Sequence, residues 1–487
     1  MKGQKKLIKP IRLLNKYKSF SAPMRASILF ALCNFVQKGI SFITTPIFTR
    51  IMPSSSYGQY SIFLSWFDII CVFTTLNMWN YLINNGLIKY KNDQNNFISA
   101  LQGLSSTLTL AWLVIYIPFS NMWESFSGLS KAVMFLMFGE LLLMPSFEYY
   151  CAEKRFYYDA KPVIILSLVS TILTPIISIP LILFSQDKGF AAIFGRVLGH
   201  SIVYAIVFLF LIKRDHNFFN KEYWTFALKF NLPLIPHFLS MMILNSSDRI
   251  MIERMCGKSD AALYSVAYSA GAAVNIINGS ILNSFVPYTY QAIKNKNTKK
   301  IRRLSSELLI LIGAVNLLAV ILAPEIIAVL APGSYRGAIY VIPPVAMSNM
   351  YMFLFNLFAN VEYYWGKTKY VAVASCISAG LNVLLNYVFI RKYGFIAAGY
   401  TTLICYILFG ICHYVFMRIV SDKYMNGTII YNTKMLCVVC VFFTVLSLIV
   451  SLLYDFAVIR YSILIIIIMA TFLNKKRILY IIKNIKE

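Results

Sequence analysis

The sequence predicts an all-α polytopic membrane protein of about fourteen transmembrane helices, with two six-helix lobes followed by two C-terminal helices. Three observations predict it. First, 59% of the 487 residues are hydrophobic and the mean hydropathy is +0.67, so lipid is the main solvent. Second, runs such as 463–469 are continuously apolar, which favours helices over the alternating strands of a barrel. Third, the second half of the chain repeats motifs of the first.

The repeat is visible at the ends of the apolar runs. Arg50 is followed ten residues later by Tyr60-Ser61, and Arg254 is followed at the same spacing by Tyr264-Ser265. A second motif, Glu-Tyr-Tyr, occurs at residues 148–150 and again at 362–364. Because each half holds an even number of predicted helices, we expect parallel repeats related by an axis along the membrane normal.

Fourteen apolar runs, each about 20 residues long, can cross a bilayer core of about 30 Å. The predicted spans are 26–50, 58–84, 97–119, 129–150, 161–184, 189–213, 226–254, 261–291, 305–330, 337–362, 368–390, 394–417, 433–453 and 457–474. The predicted domains are a basic cytoplasmic N-terminal segment (1–25), an N-lobe of helices 1–6 (26–213), a C-lobe of helices 7–12 (226–417), helices 13–14 (433–474) and a basic cytoplasmic tail (475–487).

The net charge of +26 is explained by membrane orientation rather than by nucleic acid. Most of the 45 Lys and Arg residues fall in alternate connections, all assigned to one side of the membrane. This asymmetry follows the positive-inside rule and places both termini in the cytoplasm. The basic start, 2–18, precedes an apolar run that is too long for a cleavable signal, so we expect a true first helix.

Predicted helix 1 carries a polar stripe with a charge at its centre. The substrate-binding candidates on it are Asn34, Gln37, Lys38, Ser41 and Thr45, at helical steps of three and four. A charge at the middle of a membrane helix costs about 2.5–3.5 kcal/mol on insertion scales, so Lys38 should face the protein interior or water. Its functional interpretation is a cation for a phosphate. Its structural alternative is an ion pair with Asp68.

Other charged residues in the spans leave two interpretations open. Arg196 and Arg249 either extend a basic substrate path or snorkel to the surface. The ion-coupling candidates are Asp68, Glu140 and Glu325, each of which either takes up a proton or neutralises a nearby cation. Asp248, next to Arg249, lies near the end of a predicted helix, and a local structural role is at least as well supported for it.

Residue patterns for metal, cofactor or covalent chemistry are missing from the sequence. The four His residues are far apart, and Cys437 and Cys440 form a lone C-x-x-C inside an apolar run, which favours packing over zinc. Two G-K-[ST] strings lack the earlier glycine of a P-loop. We therefore expect a carrier with no metal and no cofactor, and not an enzyme.

At two places the residues resemble a known family. Residues 49–53 with 57–61 resemble the helix 1–2 junction of Wzx-type polysaccharide flippases, and residues 232–237, 248–249 and 264–268 resemble their helix 7–8 region. These proteins form the oligosaccharide-lipid flippase branch of the multidrug/oligosaccharidyl-lipid/polysaccharide exporter superfamily. One departure is Ser55-Ser56, where acidic residues often stand in the family.

The resemblance implies the substrate and the mechanism. It implies an undecaprenyl-diphosphate-linked oligosaccharide repeat unit that crosses the bacterial cytoplasmic (inner) membrane for O-antigen, capsule or exopolysaccharide synthesis. It further implies alternating access through a cationic central cavity, in which Lys38 matches the family's helix 1 cation. An ion gradient or the membrane potential would drive the cycle. Polysaccharide polymerase and chain-length proteins are the protein partners compatible with such a role.

Four other functions compete with this interpretation. A multidrug or cation antiporter of the same superfamily would carry a carboxylate in helix 1 or 7, where helix 1 here has Lys38. A lipid II flippase also has fourteen helices, but the junction motifs favour the polysaccharide branch. A glycan-polymerising membrane enzyme would need a sizeable outward loop, which the sequence lacks. A scaffold protein would not need a charged stripe in mid-membrane.

Overall fold

The computed structural model describes residues 21–295 and 298–473, and every regular element in these ranges is a helix. Eleven helices among these residues are long and apolar enough to cross a membrane. The all-helical membrane fold is thus confirmed, and the count of about fourteen spans is not. The predicted basic segment 1–25 lies largely outside the described residues, and the predicted tail 475–487 lies wholly outside them.

The chain forms two compact units. The first comprises the described residues up to Thr44 together with Ile70–Pro233, and the second comprises Thr45–Ile69 and the described residues from Leu234 onward. The segment Thr45–Ile69 lies within the predicted N-lobe but clusters with the second unit. The predicted division into two six-helix lobes remains a prediction.

Two helices contribute residues to both units: α1 (Ala22–Ile51) and α2 (Ser54–Thr75). Pro46 lies inside α1, two residues beyond the boundary at Thr44. Because proline lacks an N–H group, it removes one helical hydrogen bond and makes a bend at this point inexpensive.

The remaining helices of the first unit run from Leu82 to Asn231. They are α3 (Leu82–Lys89), α4 (Gln94–Tyr116), α5 (Ser120–Ser127), α6 (Lys131–Phe156), α7 (Ala160–Phe184), α8 (Lys188–Arg214) and α9 (Lys221–Asn231).

Helices α7 and α8 pack closely because α8 carries small residues at helical spacing. Gly195 and Gly199 face Ser178 and Thr174 of α7, and an added Cβ at Gly195 would lie 2.5 Å from the Cα of Ser178. This small-xxx-small pattern lets two membrane helices approach at backbone distance. It also fixes the position of Arg196, the residue that follows Gly195.

The remaining helices of the second unit run from Ile235 to Leu473. They are α10 (Ile235–Cys256), α11 (Lys258–Ala272), α12 (Asn275–Lys294), α13 (Thr298–Ile321), α14 (Ala323–Leu330), α15 (Ile342–Tyr364), α16 (Thr368–Tyr393), α17 (Ile396–Tyr424), α18 (Thr433–Leu452) and α19 (Ala457–Leu473). Helix α15 is the most buried of these and packs on α11, α13 and α17.

Local geometry explains where predicted spans and observed helices differ. The span predicted over 58–84 ends as α2 at Thr75, because Leu76 and Asn77 adopt left-handed conformations with φ of 51° and 48°. The span predicted over 261–291 is divided by a turn at Ala273 into α11 and α12. In the predicted span 457–474, the structure shows helix α19 over Ala457–Leu473.

Candidate functional site

The polar residues of α1 separate into an exposed group and a packed one. Asn34, Lys38 and Ser41 are exposed, and the Ser41 hydroxyl donates to the Gln37 carbonyl at 3.1 Å. The Gln37 amide donates to the Thr171 hydroxyl of α7 at 3.0 Å, so this side chain contributes to packing. Thr45, partly buried, is hydrogen-bonded to Tyr57.

Lys38 is therefore exposed on α1, on a face that carries polar Asn34 and Ser41 together with the exposed rings of Phe35 and Phe42. Within residues 21–295 and 298–473, no carboxylate forms an ion pair with it. An exposed ammonium group attracts anions, and the attraction is stronger where less water screens it. The exposed face can bind a phosphate through Lys38 and offer hydroxyl and amide groups to its other oxygens.

Glu140 and Arg196 form a buried ion pair in the first unit. The Arg196 guanidinium lies 2.5 Å from one Glu140 oxygen, and Nδ1 of His200 lies 2.9 Å from the other. The Glu140 side chain is fully buried, and that of Arg196 is 12% exposed. Both charges are thus compensated locally, whatever further role either residue has.

Glu325 of the second unit is also paired with an arginine. Both guanidinium NH groups of Arg460 lie 2.9 Å from Glu325 carboxylate oxygens, and the Tyr461 hydroxyl donates to the same carboxylate at 2.7 Å. This bidentate pair joins α14 to α19. Bidentate arginine–carboxylate contacts are among the strongest ion pairs in proteins, so Glu325 has a firm structural partner.

The remaining two predicted residues, Asp68 and Arg249, lie in the second unit. Asp68 is exposed, and one of its oxygens accepts a hydrogen bond from the Ser246 hydroxyl at 3.2 Å. Arg249 is partly buried; it donates to the Asn245 carbonyl at 3.0 Å, and its guanidinium carbon lies 4.7 Å from the centre of the Tyr268 ring.

The structure reveals a carboxylate cluster that sequence reasoning did not select, centred on Asp248. One Asp248 oxygen accepts hydrogen bonds from the Tyr264 hydroxyl at 2.5 Å and from the Thr402 hydroxyl at 2.8 Å. The other accepts from the Asn386 amide at 2.6 Å. Asp248 is 1% exposed. Among the described residues it forms no salt bridge, and the neighbouring Arg249 acts on it only through a longer-range electrostatic attraction.

A second layer of polar side chains surrounds this carboxylate. The Asn382 oxygen accepts from the Ser247 hydroxyl at 3.1 Å and from the Asn386 amide at 3.2 Å, and the Asn382 amide donates to Thr402 at 3.3 Å. The Thr401 hydroxyl donates to the Asn386 oxygen. Helices α10, α11, α16 and α17 thus supply one buried network, which we call the Asp248 cluster.

The Asp248 cluster has the chemistry of a cation or proton site. A buried carboxylate without a positive partner is costly, and the cost is removed when the group takes up a proton or a cation. Carboxylate, amide and hydroxyl oxygens are the ligands that hard cations prefer. One signal was visible in the sequence, since Ser375, Ser378, Asn382 and Asn386 follow one face of a predicted helix.

The sequence repeat produces a direct contact in the second unit. The Ser61 hydroxyl donates to the Ser265 hydroxyl at 2.5 Å, and these two serines occupy equivalent places in the repeated motif, 204 residues apart. An added Cβ at Gly58 would lie 1.9 Å from the Lys258 carbonyl oxygen, so only glycine permits this approach. We call this contact of Gly58 and Ser61 with Lys258 and Ser265 the α2–α11 crossing. It lies at the predicted outer ends of the two helices.

We expect the Glu140–Arg196 pair to stabilise the first unit. Glu140→Ala leaves Arg196 without its partner in a mostly buried place, which should lower the free energy of unfolding by about 3–5 kcal/mol. The double variant Glu140→Gln/Arg196→Gln should recover much of the loss, because no charge is left unpaired. Thermal unfolding in detergent measures both. Equal stability of Glu140→Ala and the unaltered chain would contradict the structural role.

Comparisons with known proteins agree on one fold. Residues 24–293 match the family described as "Polysaccharide biosynthesis protein". The "Lsg locus putative protein 1" of Haemophilus influenzae is 19% identical over 375 residues, which cover 73% of this chain and 88% of the relative. An "Uncharacterized membrane protein" of the same organism is 20% identical over 363 residues, with 73% and 87% covered.

Solved structures show the same helical arrangement at low sequence identity. An inward closed conformation of the lipid II flippase MurJ is similar with a TM-score of 0.69 and 14% identity, covering 93% of this chain and 100% of that one. An inward-facing multidrug transporter of the MATE family, in the MOP superfamily, has a TM-score of 0.62 and 12% identity, with 83% and 100% covered. At such identities these likenesses establish the fold.

Proposed function

The chain belongs to the polysaccharide biosynthesis protein family, and we propose that it is a flippase for an undecaprenyl-diphosphate-linked oligosaccharide repeat unit. The family resemblance expected from the junction motifs is thereby confirmed, and the fold is that of membrane transporters and flippases. In this proposal the protein lies in the bacterial cytoplasmic membrane with both termini inside. Its cargo then feeds O-antigen, capsule or exopolysaccharide synthesis.

The observation that carries the proposal is the exposed Lys38 of α1, which forms no ion pair with any described carboxylate. A diphosphate has to leave water and cross an apolar layer, so its charge needs a basic, hydrated lining. In the proposal Lys38 binds the diphosphate as a point charge, and Asn34 and Ser41 extend the polar lining of a cationic cavity. The polyprenyl tail stays in the lipid, where it is already soluble.

In an alternating-access cycle, the α2–α11 crossing would act as an outer gate. Its backbone-distance approach at Gly58 and its Ser61–Ser265 hydrogen bond support the idea that it closes the outer end of the pathway. Release of a glycan to the outer side requires this contact to part. One neutral hydrogen bond is worth about 0.5–1.5 kcal/mol, a small enough barrier for a contact that opens in every cycle.

A cross-link at this crossing should arrest transport. In the double variant Ser61→Cys/Ser265→Cys, oxidation should join α2 to α11, because the hydroxyl oxygens replaced are 2.5 Å apart. Translocation should stop on oxidation and return on reduction. The measurement is flipping of a fluorescent lipid-linked glycan in proteoliposomes. Each single variant keeps all native cysteines and serves as the control. Full activity of the cross-linked protein would overturn the proposal that this crossing is a gate.

The Asp248 cluster is the proposed coupling site. Glu140 and Glu325 have arginine partners, whereas the hydrogen-bond donors to Asp248 among the described residues are all neutral. Uptake of a proton or a monovalent cation at Asp248 changes the charge of a network that links four helices. Such a change is what an ion gradient needs in order to bias one conformation over another.

Lipid-linked glycans in the native host test the function as a whole. With the gene deleted, we expect one diphosphate-linked oligosaccharide to accumulate on the cytoplasmic face and surface polysaccharide to disappear. Mass spectrometry of the accumulated lipid then names the sugars and separates this cargo from a cell-wall precursor. Unchanged glycans together with greater sensitivity to cationic drugs would instead identify a multidrug exporter.

A further inference from the structure

A basic pocket lies on the surface of the first unit, and neither Lys38 nor any residue of the Asp248 cluster lines it. It occupies about 570 Å³ between the end of α3 and the exposed side of α9. Its charged lining is three lysines, Lys89, Lys221 and Lys229, and one acid, Glu222. Both segments belong to connections that the positive-inside rule assigns to the cytoplasmic face.

Aromatic rings hold one of these lysines in place. The Lys89 ammonium lies 4.4 Å from the centre of the Phe226 ring and 4.7 Å from that of the Tyr90 ring. Such cation–π contacts fix the ammonium without neutralising it. The charge therefore remains available to a ligand, and less side-chain entropy is lost when the ligand binds.

Helix α9 supplies the other two lysines from one face. Lys221, Thr225 and Lys229 follow one another at steps of four and all line the pocket. The opposite face is buried through Tyr223 and Ala227. The helix is thus an amphipathic segment whose basic side is open.

Helix α9 is anchored firmly to the rest of the first unit. The Trp224 indole N–H donates to the Ala100 carbonyl of α4 at 2.9 Å. The Asn231 amide donates to the Leu76 carbonyl at 2.9 Å. These bonds keep the lysines in a fixed geometry rather than on a mobile loop.

We infer that this pocket binds the phosphate group of a lipid headgroup at the cytoplasmic surface. Three ammonium groups around one concave site match a phosphate, for which lysine acts as a point charge. An amphipathic helix with lysines on one side and aromatic residues beside them is typical of protein segments at an anionic membrane surface. The headgroup belongs either to a bulk anionic phospholipid or to a polyprenyl diphosphate. The second source rests on the proposed function, whereas the first does not.

Lipid binding to the purified full-length chain tests the inference. Native mass spectrometry in a neutral detergent, with phosphatidylglycerol and undecaprenyl diphosphate as separate probes, counts bound lipids. The triple variant Lys89→Gln/Lys221→Gln/Lys229→Gln should lose affinity for the bound lipid by about tenfold or more. The matched control Lys91→Gln/Lys161→Gln/Lys213→Gln removes the same charge from the same predicted face, outside the pocket, and should bind as the unaltered chain does.

The two probes distinguish the source of the headgroup. Selective loss of phosphatidylglycerol binding in the pocket variant identifies a bulk-lipid site, and selective loss of undecaprenyl diphosphate binding identifies a docking site for the cargo. Equal behaviour of the two triple variants toward both probes overturns the inference. If only phosphatidylglycerol binding depends on the pocket, the flippase proposal is neither supported nor weakened and is tested by the glycan measurement instead. The two proposals can therefore fail independently.

A second measurement avoids the substitutions altogether. Acetylation rates of the lysines in the unaltered chain, with and without the bound lipid, can be read peptide by peptide. The lipid should slow acetylation of Lys221 and Lys229 while leaving Lys161 and Lys213 unchanged. Uniform rates with and without lipid would also overturn the inference, even if the triple variant failed to fold.

Discussion

Replacing Lys38 with alanine is expected to abolish translocation while protein levels stay normal. The side chain is exposed and has no ion pair among the described residues, so its removal leaves no buried charge behind and should not unfold the chain. Loss of one close charge pair to a diphosphate should reduce flipping by about 100-fold. Surface polysaccharide in a complemented deletion strain and flipping in proteoliposomes measure the effect.

The charge itself, rather than the shape of lysine, is what this prediction concerns. Lys38→Arg keeps the charge and should retain part of the activity. Lys131→Ala removes a lysine from the exposed start of α6 and should leave transport unchanged. Normal surface polysaccharide in the Lys38→Ala strain, at normal protein levels, would end the binding role of this residue.

Asp248→Asn is expected to uncouple transport from its driving gradient without unfolding the protein. Asparagine keeps an oxygen that can accept from Tyr264 and Thr402 and loses only the acceptor of the Asn386 amide, but it cannot carry the negative charge that attracts a proton or cation. In proteoliposomes, an imposed proton or sodium gradient should accelerate flipping by the unaltered chain. The gradient should have no effect on the variant, which should still flip its cargo downhill.

Two further variants, one of a paired acid and one of Asp248 itself, serve as controls for this prediction. Glu325→Gln breaks the bidentate contact with Arg460, so it should lower thermal stability and leave the gradient response in place. Asp248→Leu should lower stability as well, because it strands the amide of Asn386 and two hydroxyl groups in a buried place. If Asp248→Asn responded to both gradients as the unaltered chain does, the coupling site would lie elsewhere.

Much of the fold was predictable, because membrane helices can be recognised in a sequence by the length and apolar composition of their spans. Helices α4, α6, α7 and α8 lie within a few residues of the predicted spans. The errors arise where backbone geometry interrupts an apolar run. Left-handed Leu76 and the turn at Ala273 depend on packing with neighbours that the sequence does not display.

The parts of the candidate site that lie on a single helix were predictable from the sequence. The parts that form where several helices pack together were not. Helical period alone places Asn34, Lys38 and Ser41 on one face, but it did not show that Gln37 of the same stripe contacts Thr171 of α7. Asp248 was overlooked because its partners lie 16 to 154 residues away on three other helices. Without knowledge of how the helices pack, the sequence shows a stripe of asparagines on one helix, but it does not show that they surround Asp248.

The hydrogen bond of Thr49 has a consequence for the biosynthesis of this protein. The Thr49 hydroxyl is buried and donates to the Leu330 carbonyl at 2.7 Å, 281 residues later in the chain. At translation rates of about 5–20 residues per second, the partner arrives about 15–60 s after Thr49 leaves the ribosome. Throughout that interval the Thr49 hydroxyl at the outer end of α1 lacks its Leu330 acceptor. The insertion machinery must shelter it, and a chain truncated before Leu330 should be a substrate for membrane proteases.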